Sequence, residues 1–227
     1  MLHGGKLEGL KDTAYILAGF KNGLEPTDLV RQAVLKAKAP EENLFLIPST
    51  DSLNAYKQEP PETLRHVFTQ ARFPPDTVMV VDSGIDPEFV SMTIACVDTL
   101  VVPMQPSPQA GRPTVDTIRL VIKYQVSRSR ELPRLLGLLP IGIADTQWEQ
   151  RIIEHRMTAL GNWYKQHVGV GSGKVFSPIP YSRVLLRGSF VGRPAEQSRF
   201  APQMDEIYEA LFNAKVEEDE RFRTQYI

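Results

Sequence analysis

Five short apolar runs, separated by stretches patterned as helices, set the fold class of this chain. The runs are "NLFLIPST" (43–50), "TVMVVD" (77–82), "TLVVPMQPSP" (99–108), "RLLGLLPIGIAD" (134–145) and "KVFSPIPYS" (174–182). Each is rich in Val, Ile, Leu or Phe and leaves through Pro, Asp or Ser, which is how a buried strand reads. Helices are predicted in the first three links: Pro61–Arg72, with Leu64, Val67, Phe68 and Ala71 on one face, then Pro87–Val97, then Arg112–Tyr124. A long helix, Thr146–His167, joins the last two runs, and Pro202–Lys215 forms a closing one. Upstream, residues 10–20 predict a short helix, and Thr27 or Asp28 caps another that runs to about Lys38. Strands joined through helices pair in parallel, because the crossover brings the chain back to the same end of the sheet. The expected fold is therefore α/β: a mainly parallel β-sheet with helices on both faces.

In such sheets ligands sit at the carboxyl ends of the strands. Polar and turn residues stand there repeatedly: Ser49-Thr50-Asp51, Asp82-Ser83-Gly84, Gln105-Pro106-Ser107, Asp145-Thr146 and Tyr181-Ser182-Arg183. The second of these ends carries the most specific chemistry. "TVMVVDSGID" (77–86) closes an apolar run with one carboxylate, then a small-residue turn. A carboxylate at that position has two readings. It caps the following helix, or it assists the magnesium of a bound nucleotide, which requires a phosphate-binding loop nearby.

The longer segments around Asp82 resemble the ParA/MinD family of deviant-Walker P-loop ATPases. "VMVVDSGIDPEFVSMTIACVDTLVVPMQPSPQAGRPTVDTIRLV" (78–121) is similar to that family's Walker B strand, small-residue turn, helix and "aD-lvlvPvqPs" strand. "GKVFSPIPYSRVLLRGSFVGRPAEQSRFAPQMDEIYEAL" (173–211) is similar to the family's ending, and "NLFLIPSTDSL" (43–53) to the strand and turn ahead of the Walker B helix. The resemblance runs from about residue 15 to 214 and implies a single domain over residues 1–215 with a charged tail at 216–227. It implies ATP with Mg2+ as cofactors. Asp82 would serve the metal through the nucleotide, Ser83 and Gly84 would form the turn facing the terminal phosphate, and Pro180 would border the adenine. Simple strand termination is an equal reading of Pro180.

One part of the family pattern has no counterpart. A phosphate-binding loop needs the order strand, glycine-rich loop with lysine, helix. "HGGKLEG" (3–9) has no strand before it and places Leu7 where Ser or Thr is required. "GVGSGKVF" (169–176) has Val175 after its lysine and leads into a strand. Both read as ordinary glycine turns with Lys6 and Lys174 solvated. Relative to the family, the chain is expected to start after a βαβ unit of roughly 40–50 residues. Two expectations follow: an N-terminally truncated ParA-like ATPase, or a degenerate member that does not hydrolyse ATP by itself. "IGIADTQWE" also departs from the family pattern where an adenine contact is usual.

The resemblance further implies a homodimer, or a pairing with an intact ParA-like paralogue, a ParB-like adaptor, and non-specific DNA. Partitioning of plasmid or chromosomal DNA is the implied function. The alternatives are a non-catalytic regulator on the same scaffold, or a factor serving conjugation, polysaccharide secretion or another cargo. Basic residues that could neutralise DNA phosphates are Arg119, Lys123, Arg128, Arg130 and Arg134 in one segment, and Arg183, Arg187 and Arg193 in another. Arg128, Arg130, Arg183 and Arg187 are the DNA-binding candidates; a solvated helix end or loop is the plainer reading of each.

Composition excludes less than the motifs include. The formal net charge is −1, so global charge draws the chain to neither nucleic acid nor membrane. The single cysteine, Cys96, permits no intrachain disulfide and is expected in the core. His3, His66, His155 and His167 show no metal-ligand spacing. Trp148 and Trp163 are expected to pack. The tail has no continuous apolar face, so no membrane anchoring is expected, and the expected location is cytoplasmic with possible nucleoid association.

Overall fold

The computed structural model describes residues 10–36, 45–83, 86–105, 107–127, 133–144, 146–168, 171–181 and 202–213. The chain divides into two compact units, Gly4–Val97 and Asp98–Ile227 with Met1–His3.

The first unit is mostly helical. It contains α1 (Thr13–Lys21), α2 (Pro26–Ala33), a 3-10 turn (Asp51–Tyr56), α3 (Thr63–Gln70) and α4 (Pro87–Cys96). Ile16, Leu29, Val30, Ala33, Val67 and Ala71 form one buried cluster; Leu17, Leu64 and Met92 form another, with Cys96 half-buried against it. Gly19 lets α1 meet α2 closely: a Cβ there would lie 2.3 Å from a Leu29 methyl, and the buried Leu29 side chain would have to shift. Asp12 caps α1: its carboxylate accepts from the Tyr15 N–H at 2.9 Å and from the Thr50 hydroxyl, and it is 4% exposed. One side chain thus ties the helix start to the loop that carries Thr50. Asp12→Ala is expected to lower stability by about 1–2 kcal/mol, the usual cost of a lost cap, measurable by urea unfolding.

Two expected strands in this unit are corrected. "NLFLIPST" is not a buried strand. Phe45–Leu46 forms only β2, antiparallel to β1 (Leu35–Lys36), and both residues are exposed. The chain beyond serves α1 instead: the Pro48 carbonyl accepts from both the N–H and hydroxyl of Thr13, and Pro48 itself has no N–H for a ladder. The run Thr77–Val81 forms no strand either. Val78 is 76%, Met79 38% and Val80 90% exposed. Its residues favour strand, but among the described residues no ladder partner lies beside it, and β-propensity acts only through such neighbours. Helix α2 starts on Pro26, whose fixed φ suits a first turn, with Glu25 rather than Thr27 or Asp28 at the cap. It stops at Ala33 because Val34 turns extended into β1.

The second unit holds the sheet. Strand β3 (Thr99–Met104) pairs in parallel with β4 (Arg134–Ile143), which pairs in parallel with β5 (Gly171–Val175) and, further along, with β6 (Ile179–Pro180). Helix α5 (Pro108–Ser127) links β3 to β4. The second link is α6 (Gln147–Arg151), a π segment (Ile152–Met157) and α7 (Thr158–Val168). A last helix, α8, covers residues 202–213. The expected parallel order is therefore present. The expected single strand 174–182 is two, broken at Pro178, which cannot donate to a ladder.

Strand β4 is buried along nearly its whole length, as a central parallel strand should be. Leu136, Leu139 and Phe176 pack on Ile207, Ala210 and Leu211 of α8. Helix α7 packs along β5 and α5 along β3. Tyr164 of α7 is fully buried, and its hydroxyl accepts from the Leu135 N–H at 3.3 Å. Gly173 has φ +53°, and its carbonyl lies so near Gly161 that a Cβ there would be 2.0 Å away. The "GSGK" motif is thus strand, not turn, and its glycine serves helix–strand packing. Two further expectations are corrected here. Arg134 is 5% exposed at the start of β4, out of reach of DNA, and Trp148 is 53% exposed rather than packed.

Candidate functional site

In the first unit the candidate residues follow the exposed run. Asp82 is exposed and Ser83 half-buried, both in irregular backbone. Four residues on, Asp86 precedes α4, with Pro87 in the first turn. Its carboxylate pairs with the Lys57 ammonium, which comes from the end of the 3-10 turn and also lies 5.4 Å from the Phe89 ring centre. Hydrogen bonding with Glu88, and then with Lys57, holds the Asp86 carboxyl below its ordinary range; the Asp86 bond in turn raises the Lys57 ammonium. Lys57 was not singled out from the sequence. No motif marks it: it becomes notable only because the Thr50 turn delivers it to the start of α4.

In the second unit the carboxyl ends of the strands gather a different set. Strand β4 bends at Gly142, φ +69°, where a Cβ would meet the Gln105 amide at 3.6 Å. The Tyr181 N–H donates to the Ile143 carbonyl at 2.8 Å, which fixes Pro180 at the end of β6, exposed to solvent. Thr146 and Glu149 form a reciprocal cap at the start of α6: the Thr146 hydroxyl accepts from the Glu149 N–H, and the Glu149 carboxylate accepts from the Thr146 and Ala144 N–H groups. Those N–H bonds, Thr146 first, hold the Glu149 carboxyl below its ordinary range. Gln105, Pro180 and this cap thus lie at the sheet end where α/β folds bind ligands.

Asp82 and Ser83 belong to one unit and Pro180 to the other. Gly84, Asp145, Arg128, Arg130, Arg183, Arg187 and Arg193 lie outside the described residues, as does Lys6. Lys174, the lysine of the second glycine motif, is half-exposed, pairs with Glu206 and lies 5.5 Å from the Phe176 ring centre. Burial is the largest influence on Glu206 and opposes its charge. Lys174 and the Ser177 N–H together outweigh it and leave the carboxyl below its ordinary range.

A Mg2+ ion bound to a nucleotide takes one or two carboxylates and completes its shell with phosphate and water. Asp82 has the right chemistry for that part. The described residues supply that part alone: Asp82 follows an exposed run that joins no ladder among them, and no loop of backbone N–H groups for the phosphates accompanies it among them. No nucleotide chemistry follows from these residues alone. Among the described residues no group of three or more His, Cys, Asp or Glu could hold a metal ion, and no helix is long and apolar enough to cross a membrane.

The fold defines a class: an α/β protein with a parallel sheet flanked by helices. No protein-family model matches the sequence, and no curated protein matches it. Among solved structures the chain is similar to a Cyanothece McdA variant in complex with ATP, with a TM-score of 0.62 and 17% identity. The match covers 92% of this chain and 78% of that one. The likeness shows the fold alone, a parallel sheet with helices, and that is the fold which the sequence motifs imply.

Proposed function

We propose that this chain is a ParA-like partitioning or positioning protein, acting in the segregation of plasmid or chromosomal DNA through ATP-dependent dimerisation. The observation that carries the reading is the likeness to an ATP complex over 92% of the chain, joined to the order of the motifs around Asp82 and Pro180. ATP and Mg2+ are the cofactors. Asp82 serves the metal, Ser83 and Gly84 form the phosphate-facing turn, and Pro180 borders the base. Arg128, Arg130, Arg183 and Arg187 bind DNA phosphates without reading sequence. The partners are a second copy or an intact ParA-like paralogue, and a ParB-like adaptor.

A second reading, a non-catalytic regulator on this scaffold, is favoured by one observation. The run that leads to Asp82 is exposed and joins no ladder among the described residues, unlike the buried strand that such a site usually ends. Both readings expect that the purified chain alone releases no phosphate from ATP in the presence of Mg2+. Turnover that Asp82→Asn abolishes would show that this chain is a complete ATPase. DNA binding separates the readings. Under the first, the chain shifts duplex DNA of arbitrary sequence. The quadruple change of the four arginines to alanine then weakens binding and flattens its salt dependence by about one counterion for each phosphate no longer neutralised. No shift at low salt, or an unchanged salt slope, favours the regulator.

A further inference from the structure

Helix α8 carries more apolar surface than its packing uses. Ile207, Ala210 and Leu211 are turned to β4 and Phe176. At i, i+4 and i+8, Met204, Tyr208 and Phe212 form a second stripe, exposed by 46%, 67% and 58%. These three positions step around only about 80° of the helix, so they make one continuous ridge beside the packed face. The other border of the ridge is acidic: Asp205 and Glu209 are exposed there. Residues 202–213 contain no lysine or arginine. Glu206, the remaining acid of α8, is already engaged by Lys174 and the Ser177 N–H.

We infer that this ridge docks a basic amphipathic helical segment of a partner protein. Apolar side chains of the segment cover Met204, Tyr208 and Phe212, and its lysines or arginines meet Asp205 and Glu209. The composition is that of an interface core, with Met and aromatic anchors and a Tyr whose hydroxyl stays at the wet edge. Charge selects the occupant. A second copy laid across the ridge brings Asp205 and Glu209 against an equally acidic helix, and like charges set face to face suppress association. An anionic lipid surface is repelled for the same reason. A basic helix gains from both halves of the surface, which is the helix-on-ridge counterpart of amphipathic peptide recognition.

The test uses the full chain and two synthetic helical peptides labelled with fluorescein. One presents leucines on one face and lysines on the other; in its control, glutamate replaces every lysine. Fluorescence anisotropy is expected to show saturable binding of the lysine peptide and none of the glutamate peptide. Binding should fall at least about tenfold in Tyr208→Ser/Phe212→Ser, and by a similar factor in Asp205→Lys/Glu209→Lys. All four positions are exposed, so thermal unfolding should stay within a few degrees of the parent. Should the serine pair unfold, the charge-reversed pair gives the reading. The inference is overturned by any of three results: no binding of the lysine peptide, equal binding of both peptides, or binding that neither variant changes. It is also overturned if sedimentation finds a dimer that Tyr208→Ser dissociates, or if phosphatidylglycerol vesicles bind the chain through the same residues.

Discussion

Tyr164→Ala is expected to lower the stability of the sheet-bearing unit by about 3–5 kcal/mol, the range for removing a large buried aromatic. Tyr164 is fully buried in α7, so the truncation leaves a ring-sized cavity beside the most buried strand. It also removes the acceptor of the Leu135 N–H, and a buried backbone donor left without a partner adds its desolvation cost. Tyr164→Phe separates the two contributions, because it keeps the ring and loses only the hydroxyl; its cost should be about 1 kcal/mol. Urea unfolding of the three proteins under one condition measures both. Equal stability of Tyr164→Ala and parent would mean that α7 does not pack on β4 as described.

Gly161→Ala is the second large effect. The added methyl would stand 2.0 Å from the Gly173 carbonyl oxygen, where about 3.4 Å is ordinary contact. The obstacle is backbone on both sides, since Gly161 is in a helix and Gly173 in a strand, so no side chain can rotate away. The helix must move off the strand, and the expected loss is about 3 kcal/mol, the upper end for overpacking. Gly173→Ala tests the same approach from the other side, with the added strain of φ +53°. By contrast Gly111→Ala, inside α5 and with nothing within 4 Å of the new methyl, should raise stability by up to about 1 kcal/mol, the usual gain of Ala over Gly in a helix, and serves as the control. The comparison, again by urea unfolding, also decides what "GSGK" is for: a packing glycine loses stability when it gains a methyl.

The sheet was legible where a segment's own residues decide its state. Residues 135–143 are apolar on both faces, and β4 is buried along nearly its whole length. Pro87 in the first turn and Pro61 ahead of Thr63 marked helix starts within two residues. The short helix 10–20 emerged as Thr13–Lys21. What periodicity could not reveal is whether a strand-former has a neighbour. Val78 to Val81 and Phe45 to Leu46 have the residues of buried strands, yet their burial depends on chain elsewhere. Likewise Trp148 has the composition of a core residue and stands in solvent, because the reciprocal cap of Thr146 and Glu149 sets the helix start around it. Asp82, Ser83 and Pro180 were named from motifs, and their part in a site is a proposal. Lys57 carries no motif, since what sets it apart is one ion pair across a turn. Arg134 was read as surface because charge dominates its sequence appearance, whereas its place at the first residue of β4 buries it.

The uncovered run Val78-Met79-Val80-Val81 has a consequence for handling the protein. Four consecutive apolar residues with strong β-propensity and no charge between them are the core of what a longer stacking segment needs. Among the described residues no strand pairs with their main-chain groups, and an exposed edge of that kind is a template for another chain. Asp76 before the run and Asp82 after it act as gatekeepers, placing a negative charge at each end where stacked copies would repel. Replacing both by neutral residues removes that protection and leaves the run far more open to stacking than it is in the parent chain.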